Sequence, residues 1–376
     1  MHPVTDAMRE LSGETSTAVS TPPDDRPPTA PARPRGRRAL VAGGVLGVAL
    51  VISLIASASI GQFHTSPSEV LSSLYNGLIH GVDPSRSQVD GVLWSIRFPR
   101  AALAALIGAS LAVSGAVMQG VFANPLAEPS IIGVNAGASV GAAIVFVFGY
   151  SQTAVWSLPL AAFLGAVATA FAVWGLSRVG GTASVLTLIL TGIAVNAVAV
   201  AVTSFLIFMG DRSSREQVIF WQLGTLAGAR WPDVGVTAAV FAGGFAACLA
   251  IRRQIDVLAL GDTAASSTGV SVERLRFGAL ILVSILTAVA VAFAGVIAFV
   301  GLIVPHALRL AVGPSHRYLV PLSALGGAVL LSVADIAART VVPFADLPIG
   351  IFTAVVGGPL FLVMLRRTLS GYQLGR

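Results

Sequence analysis

Asp335 and Arg339 are two ionisable residues inside an otherwise apolar stretch, and their spacing could do chemistry. Four apart with the acid first, they would sit one helical turn apart in the orientation that favours pairing. A charge at the centre of a bilayer costs roughly 3 kcal/mol, so such a pair is expected to face protein or water. It reads equally as a lining or partner-binding group and as a clamp between helices. No other strong acid or base is placed deep in an apolar run, so no proton relay is evident.

Arg97 and Arg100 flank Phe98-Pro99 where a second apolar run begins. A helix start tolerates proline, but its dipole favours anions. Two arginines there either snorkel to an interface or present positive charge to an acidic partner or anionic solute. Asn124-Pro125-Leu126-Ala127-Glu128-Pro129 reads as a stiff turn after that run, with Glu128 well placed at the start of the next helix.

Several chemistries are poorly served. All 23 basic residues are arginine, so the chain lacks the lysine of a Walker phosphate loop and any Schiff-base lysine. His2, His64, His80, His306 and His316 form no pair at metal-ligand spacing, and there is no Gly-x-Ser-x-Gly elbow. His306, after Pro305, reads as a packing residue. The single Cys248 reads as a small buried hydrophobe. The chain is expected to carry no catalytic residue, no metal and no cofactor of its own.

These residues need a scaffold, and composition says which kind. The 376 residues are 55% hydrophobic and 11% charged, with mean hydropathy +0.85. A soluble domain carries about 25% charged residues, so most of this surface must face lipid. The expected fold is an all-α polytopic membrane protein with about ten transmembrane helices. Their approximate ranges are 39–60, 98–120, 131–150, 154–177, 184–208, 233–251, 275–297, 299–312, 319–340 and 348–365. Ala56-Ser57-Ala58 resembles a signal-peptidase site, but the first run exceeds the usual signal length and is read as a retained span. Residues 1–38, rich in Pro, Thr, Asp and Arg, are expected to be a disordered cytoplasmic tail. Residues 39–370 form the membrane domain, and 371–376 a cytoplasmic end. Ten spans put both termini inside. Arg178, Arg252, Arg253, Arg274, Arg276, Arg317, Arg366 and Arg367 then fall on the cytoplasmic side.

Gly133, Gly137 and Gly141, four apart, make a stripe for close helix packing. Residues 61–96 are expected to be an outer loop with a surface helix near 67–78. Residues 209–232 hold an amphipathic stretch too short and polar to span. The loop at about 252–274 contains Leu260, Gly261, Asp262, Thr263, Ala264, Ala265, Ser266, Ser267, Thr268, Gly269 and Val270. Its turn and cap formers suggest a compact helix suited to docking a soluble partner.

Taken in order, these stretches resemble the FecCD family of binding-protein-dependent permeases, which import iron–siderophore chelates, haem and vitamin B12. The resemblance rests on Arg97-Phe98-Pro99-Arg100, on Gly115-Ala116-Val117-Met118-Gln119-Gly120 with Asn124-Pro125-Leu126-Ala127-Glu128-Pro129, and on Gly133-Val134-Asn135-Ala136-Gly137-Ala138. It continues through Phe220-Trp221-Gln222-Leu223-Gly224, Gly301-Leu302-Ile303-Val304-Pro305-His306, and Ala334-Asp335-Ile336-Ala337-Ala338-Arg339 with Leu347-Pro348-Ile349-Gly350. It covers about residues 40–370. It implies a type II ABC importer permease fold in a bacterial inner membrane, paired with a second copy or paralogue. It also implies two cytoplasmic ATPase subunits, which carry the ATP and Mg, and an extracytoplasmic substrate-binding protein. Arg97, Arg100 and Arg339 match arginines that dock acidic residues of the binding protein. Residues 260–270 match the ATPase coupling loop, and Asn124, Pro125 and Leu126 a cytoplasmic gate region. The second gate segment departs from the vitamin B12 pattern: Val185 and Leu186 stand there, with Thr182 and Ser184 nearby. An iron–siderophore cargo is expected, with cobalamin or haem as alternatives. In another class the rival is an ion-coupled secondary transporter.

Overall fold

The computed structural model describes residues 35–81, 87–152, 154–179, 182–342 and 345–373; the expected tail lies mostly outside the described residues. Helix α1 (Arg35–Ser59) is followed by α2 (Pro67–His80), whose start is set by a capping box between Ser66 and Glu69. Ser87 caps α3 (Gln88–Val92), which passes through a π-helical turn at Leu93–Arg97 into α4 (Phe98–Val121). The expected second span, 98–120, corresponds to α4; the expectation did not include the helical extension before it, which makes the helix continuous from Gln88 to Val121. The extension is held against α2 by Ser73, which bonds Asp90 and accepts from the Trp94 indole N–H at 3.1 Å.

After a 3-10 turn at Pro129–Ile132 come α5 (Val134–Val147) and α6 (Ser157–Leu176). A two-residue antiparallel ladder pairs Arg178 with Ala183 and Val179 with Thr182, a small exception to the all-helical pattern. Then follow α7 (Val185–Met209), α8 (Arg212–Gln222) and α9 (Trp231–Leu258). The last elements are α10 (Asp262–Ser267), α11 (Val272–Ala294), α12 (Val300–Val312), α13 (His316–Ala338) and α14 (Ile349–Gln373). Helix α9 runs past the expected end of its span because Ile255 and Leu258 are buried, and burial keeps the turn helical.

Seven helices are long and apolar enough to cross a membrane, and α5, α12 and the first part of α14 are shorter apolar helices, ten in all among the described residues. Helix α4 is the hub. Of its most apolar window 83% is buried, against 11% in α1 and 17% in each of α6, α7 and α9, so those four turn most of their surface outward. Close approach to the hub needs missing side chains. A Cβ on Gly115 would fall inside the Gly301 carbonyl oxygen, and one on Gly120 inside the His316 ring. Two of the three glycines of the expected stripe work likewise, Gly137 against Gly165 and Gly141 against Ala161 on α6, whereas Gly133 caps α5 at φ +78° and a Cβ there would meet only ordinary contacts.

Contacts between helix ends define two ends of the bundle. At the proximal end lie the start of α1, the end of α4, the end of α9, and the starts of α11 and α13. At the distal end lie the end of α1, the start of α4 and the end of α13.

Candidate functional site

At the distal end, α1 finishes with backbone carbonyls that no intrahelical N–H can reach, a partial negative charge seeking cations. Two arginines from distant elements supply them. Arg97 donates to the Ala58 carbonyl at 2.6 Å and the Ser59 carbonyl at 3.0 Å, and also reaches the Phe63 carbonyl and the Thr65 hydroxyl. Arg339 donates to the Ser57 carbonyl at 2.6 Å, its hydroxyl at 2.7 Å and the Ile60 carbonyl at 3.0 Å. Gly61 leaves room for the Arg97 guanidinium.

Arg100 is the bridge to α13 and to the segment before α14. Its Nε–H donates to Asp335 Oδ1 at 2.9 Å and its Nη1–H to Asp346 Oδ2 at 2.9 Å. Asp335 is fully buried, and Arg339 Nε lies 3.3 Å from its other oxygen. Five charged side chains thus lock α1, α4, α13 and residue 346 together, with three guanidiniums against two carboxylates. Asp346 is the most exposed member at 37%. Residue types alone do not single out Asp346, because nothing local ties it to Arg100.

Helix breaks meet at a second distal feature. The Thr225 N–H donates to the Ala294 carbonyl at 2.8 Å, Ile349 N–H to Gly224 O at 2.9 Å, and Gly350 N–H to Leu223 O at 3.0 Å. Backbone left bare where α8, α11 and α14 stop or start is satisfied by its neighbours, which is how irregular backbone is tolerated inside a membrane protein. Gly295 and Gly350 permit this, since a Cβ on either would meet the Trp221 or Leu223 carbonyl.

At the proximal end, α10 projects beside the ends of α9 and α11. Arg276 grips Asp262 with two parallel bonds, Nη1–Oδ2 at 2.9 Å and Nη2–Oδ1 at 2.8 Å. Gly261 (φ +108°) and Gly269 (φ +85°) bracket the helix in conformations that L side chains rarely adopt. Ala265 is buried beneath it, whereas Leu260, Gly261, Asp262, Thr263, Ser266, Ser267, Thr268 and Gly269 are exposed; Ala264 and Val270 are half-buried.

The turn at Asn124–Leu126 is also here. The Asn124 side-chain oxygen accepts from the Leu126 N–H at 2.9 Å, and the Asn124 N–H donates to the Gln119 carbonyl at 3.1 Å. Gln119 in turn donates to the Leu302 carbonyl at 3.2 Å, and Glu128 accepts from the Phe299 N–H at 2.9 Å. The turn is therefore braced against the break between α11 and α12. Ser184 and Thr187 cap the start of α7 reciprocally, with N···O distances of 3.1 and 3.0 Å; Val185 and Leu186 are the first residues of that helix. Spacing does not single out His316 either. Its Nδ1 lies 2.6 Å from Asp256 Oδ1 and its Nε2 3.2 Å from the Ala116 carbonyl, tying α13 to α9 and α4.

Comparison with known proteins places this architecture. The model of the FecCD transport family matches residues 49–367. The cobalamin import system permease protein BtuC of Halobacterium salinarum is 46% identical over 283 residues, 75% of this chain and 75% of the relative. The hemin transport system permease protein HmuU of Yersinia pestis is 37% identical, covering 86% of this chain and 95% of the relative. The Fe(3+) dicitrate transport system permease protein FecD of Escherichia coli is 40% identical, over 73% and 85%. A solved structure described as an inward-facing conformation of a metal-chelate type ABC transporter superposes with TM-score 0.76 at 31% identity, over 87% of this chain and 99% of that one.

Proposed function

The chain is a permease of the FecCD transport family, and from that premise we propose that, with a second copy or paralogue, it forms the membrane pathway of a binding-protein-dependent importer for a ferric chelate. The observation that carries this reading is α10, a short exposed helix fixed by the Arg276–Asp262 clamp at one end of the bundle. Such an element is a rigid lever on which a soluble ATPase could push. Relatives are named for cobalamin, hemin and ferric dicitrate, so cobalamin and haem stand beside the iron–siderophore reading.

In this proposal the proximal end is cytoplasmic and both termini lie there. The charge pattern supports it. Arg178, Arg252, Arg253, Arg274, Arg276 and Arg317 gather at that end, as expected of cytoplasmic flanks. The distal Arg97, Arg100, Arg212, Arg230 and Arg339 are each bonded within the chain. Two partner ATPases would hold ATP and Mg against residues 260–270, and this chain would hydrolyse nothing. Nucleotide binding shifts the transporter between two openings only by as much as it binds them differently. The turn at Asn124, Pro125 and Leu126, braced on α11 and α12, would close the cytoplasmic side.

Arg97, Arg100 and Arg339 are the proposed docking residues for an acidic binding protein. Each already has partners inside the chain, so docking means exchange: an incoming carboxylate would displace the half-exposed Asp346 from Arg100. Loss of uptake in an Arg100 variant would therefore not separate docking from misfolding. A charge swap does. Arg100→Glu should abolish uptake, and an acid-to-arginine change in the binding protein should restore part of it. Absence of rescue by any such swap removes the docking role. For the importer itself, uptake should stop with vanadate and persist with a protonophore; the opposite result refutes an ATP-driven mechanism.

A further inference from the structure

A groove of about 770 Å³ opens between α9 and α11 at the proximal end, directly beside α10. Its mouth is polar and cationic, with Gln254, Ser271 and Arg274; its floor runs down α11 past Gly278 to Leu282. Arg274 to Leu282 is eight residues of helix, roughly 12 Å, the depth from a headgroup layer into hydrocarbon. A Cβ on Gly278 would meet nothing within 4 Å, so this glycine leaves the groove open and does not serve a helix contact. The acids that could neutralise Arg274 are taken: Glu273 pairs with Arg178 and Asp262 with Arg276, both at 2.9 Å or less. Arg252 and Arg253, on the turn of α9 that borders the groove, have no acidic partner among the described residues either.

We propose that an anionic glycerophospholipid occupies this groove, its phosphate against Arg274 and Ser271 and one acyl chain along Gly278 and Leu282. The match is to lipid because the cavity changes from cationic to aliphatic along its length, as a phospholipid changes from head to tail. Charge complementarity selects an anionic headgroup. Its mouth includes Thr268 and Gly269, the residues that return the chain from α10 to α11, so the lipid braces the α10 segment from behind. This goes beyond the transport reading and holds whichever face of the membrane the proximal end occupies.

The test uses the full chain in phosphatidylcholine nanodiscs doped with phosphatidylglycerol, with retained lipids counted by native mass spectrometry. The wild type should retain phosphatidylglycerol in preference to phosphatidylcholine. Arg274→Gln should lower that preference about fivefold, the equivalent of about 1 kcal/mol per basic residue near a charged surface, while Arg274→Lys preserves it. Gly278→Leu should expel both lipids from the site without lowering thermal stability. A photoreactive residue at Ser271 should crosslink to phosphatidylglycerol. Equal retention of the two lipids by the wild type, an unchanged preference in Arg274→Gln, or crosslinking to a protein in place of lipid overturns the proposal.

Discussion

Arg100 and Asp335 are 235 residues apart in sequence and 2.9 Å apart in the fold, joining the start of the hub helix α4 to α13. Asp335 is fully buried between Arg100 and Arg339. Removing a buried carboxylate from such a pair leaves charge without compensation, which costs about 3–5 kcal/mol. Asp335→Ala should therefore lower the thermal unfolding midpoint of the detergent-solubilised chain sharply. Replacing Asp335 and Arg339 together with Leu and Met should recover part of the loss, because the ion pair that remains, Arg100 with Asp346, is still matched. A single variant as stable as the wild type would show that the cluster is not a structural lock.

The spacing of Asp335 and Arg339 was legible as a pair on one helix. What it hid was the stronger partner. Side-chain type reveals a charge but not the distant charge that meets it, and a backbone carbonyl acceptor leaves no trace in sequence at all. Arg97 is the clearest case: its partners are mostly carbonyls near the end of α1. Apolar runs made the spans readable, whereas the continuous helix from Gln88 was missed because its first turns are too polar to read as membrane. The Trp221–Gly224 stretch could be recognised as non-spanning, yet its role in satisfying the backbone of two other helices needed the fold.

Glycines of identical type should respond oppositely. A Cβ on Gly115 would overlap the Gly301 carbonyl, so Gly115→Val must push α12 from α4 and strain the nearby Gln119–Leu302 bond. Overpacking of this kind costs about 1–3 kcal/mol or more. Gly243, on α9, has nothing within 4 Å of its Cβ position. Gly243→Ala should be neutral or stabilising by up to about 1 kcal/mol, since alanine is the better helix former. Size-exclusion profiles after a heating series separate the two. Equal tolerance at both sites contradicts the close α4–α12 contact.

The surface helices α2 and α8 should fray in acid while the bundle stays intact. Ser66, through its N–H and hydroxyl, holds the Glu69 carboxyl below its ordinary 4.5, and the Ser214 N–H holds Asp211 below 3.8. A carboxylate whose pKa is lower folded than unfolded contributes stability above the unfolded value and loses it as pH falls through the folded one. Hydrogen-exchange protection factors, which correct for the intrinsic pH dependence of exchange, should thus fall at the first turns of α2 and α8 only below about pH 4.5 and 3.8 respectively. Glu69→Gln and Asp211→Asn should flatten the dependence. Protection lost already near neutrality would mean that these caps do not hold the helices.

Arg276 should control the mobility of α10 and, with it, coupling. Its guanidinium is buried while Asp262 is largely exposed, so the pair is anchored from the α11 side and presents α10 outward. Arg276→Met removes the anchor but keeps the apolar stem packed. Exchange at residues 259–271 should rise, with the thermal midpoint of the bundle changed little. In the importer proposed above, loaded binding protein should stimulate ATP hydrolysis several-fold less than in the wild type, because a lever that bends transmits less of the differential binding energy. The swap Asp262→Arg with Arg276→Asp should restore part of both readouts. Faster exchange with full stimulation would leave the clamp as a structural feature and move coupling elsewhere in the chain.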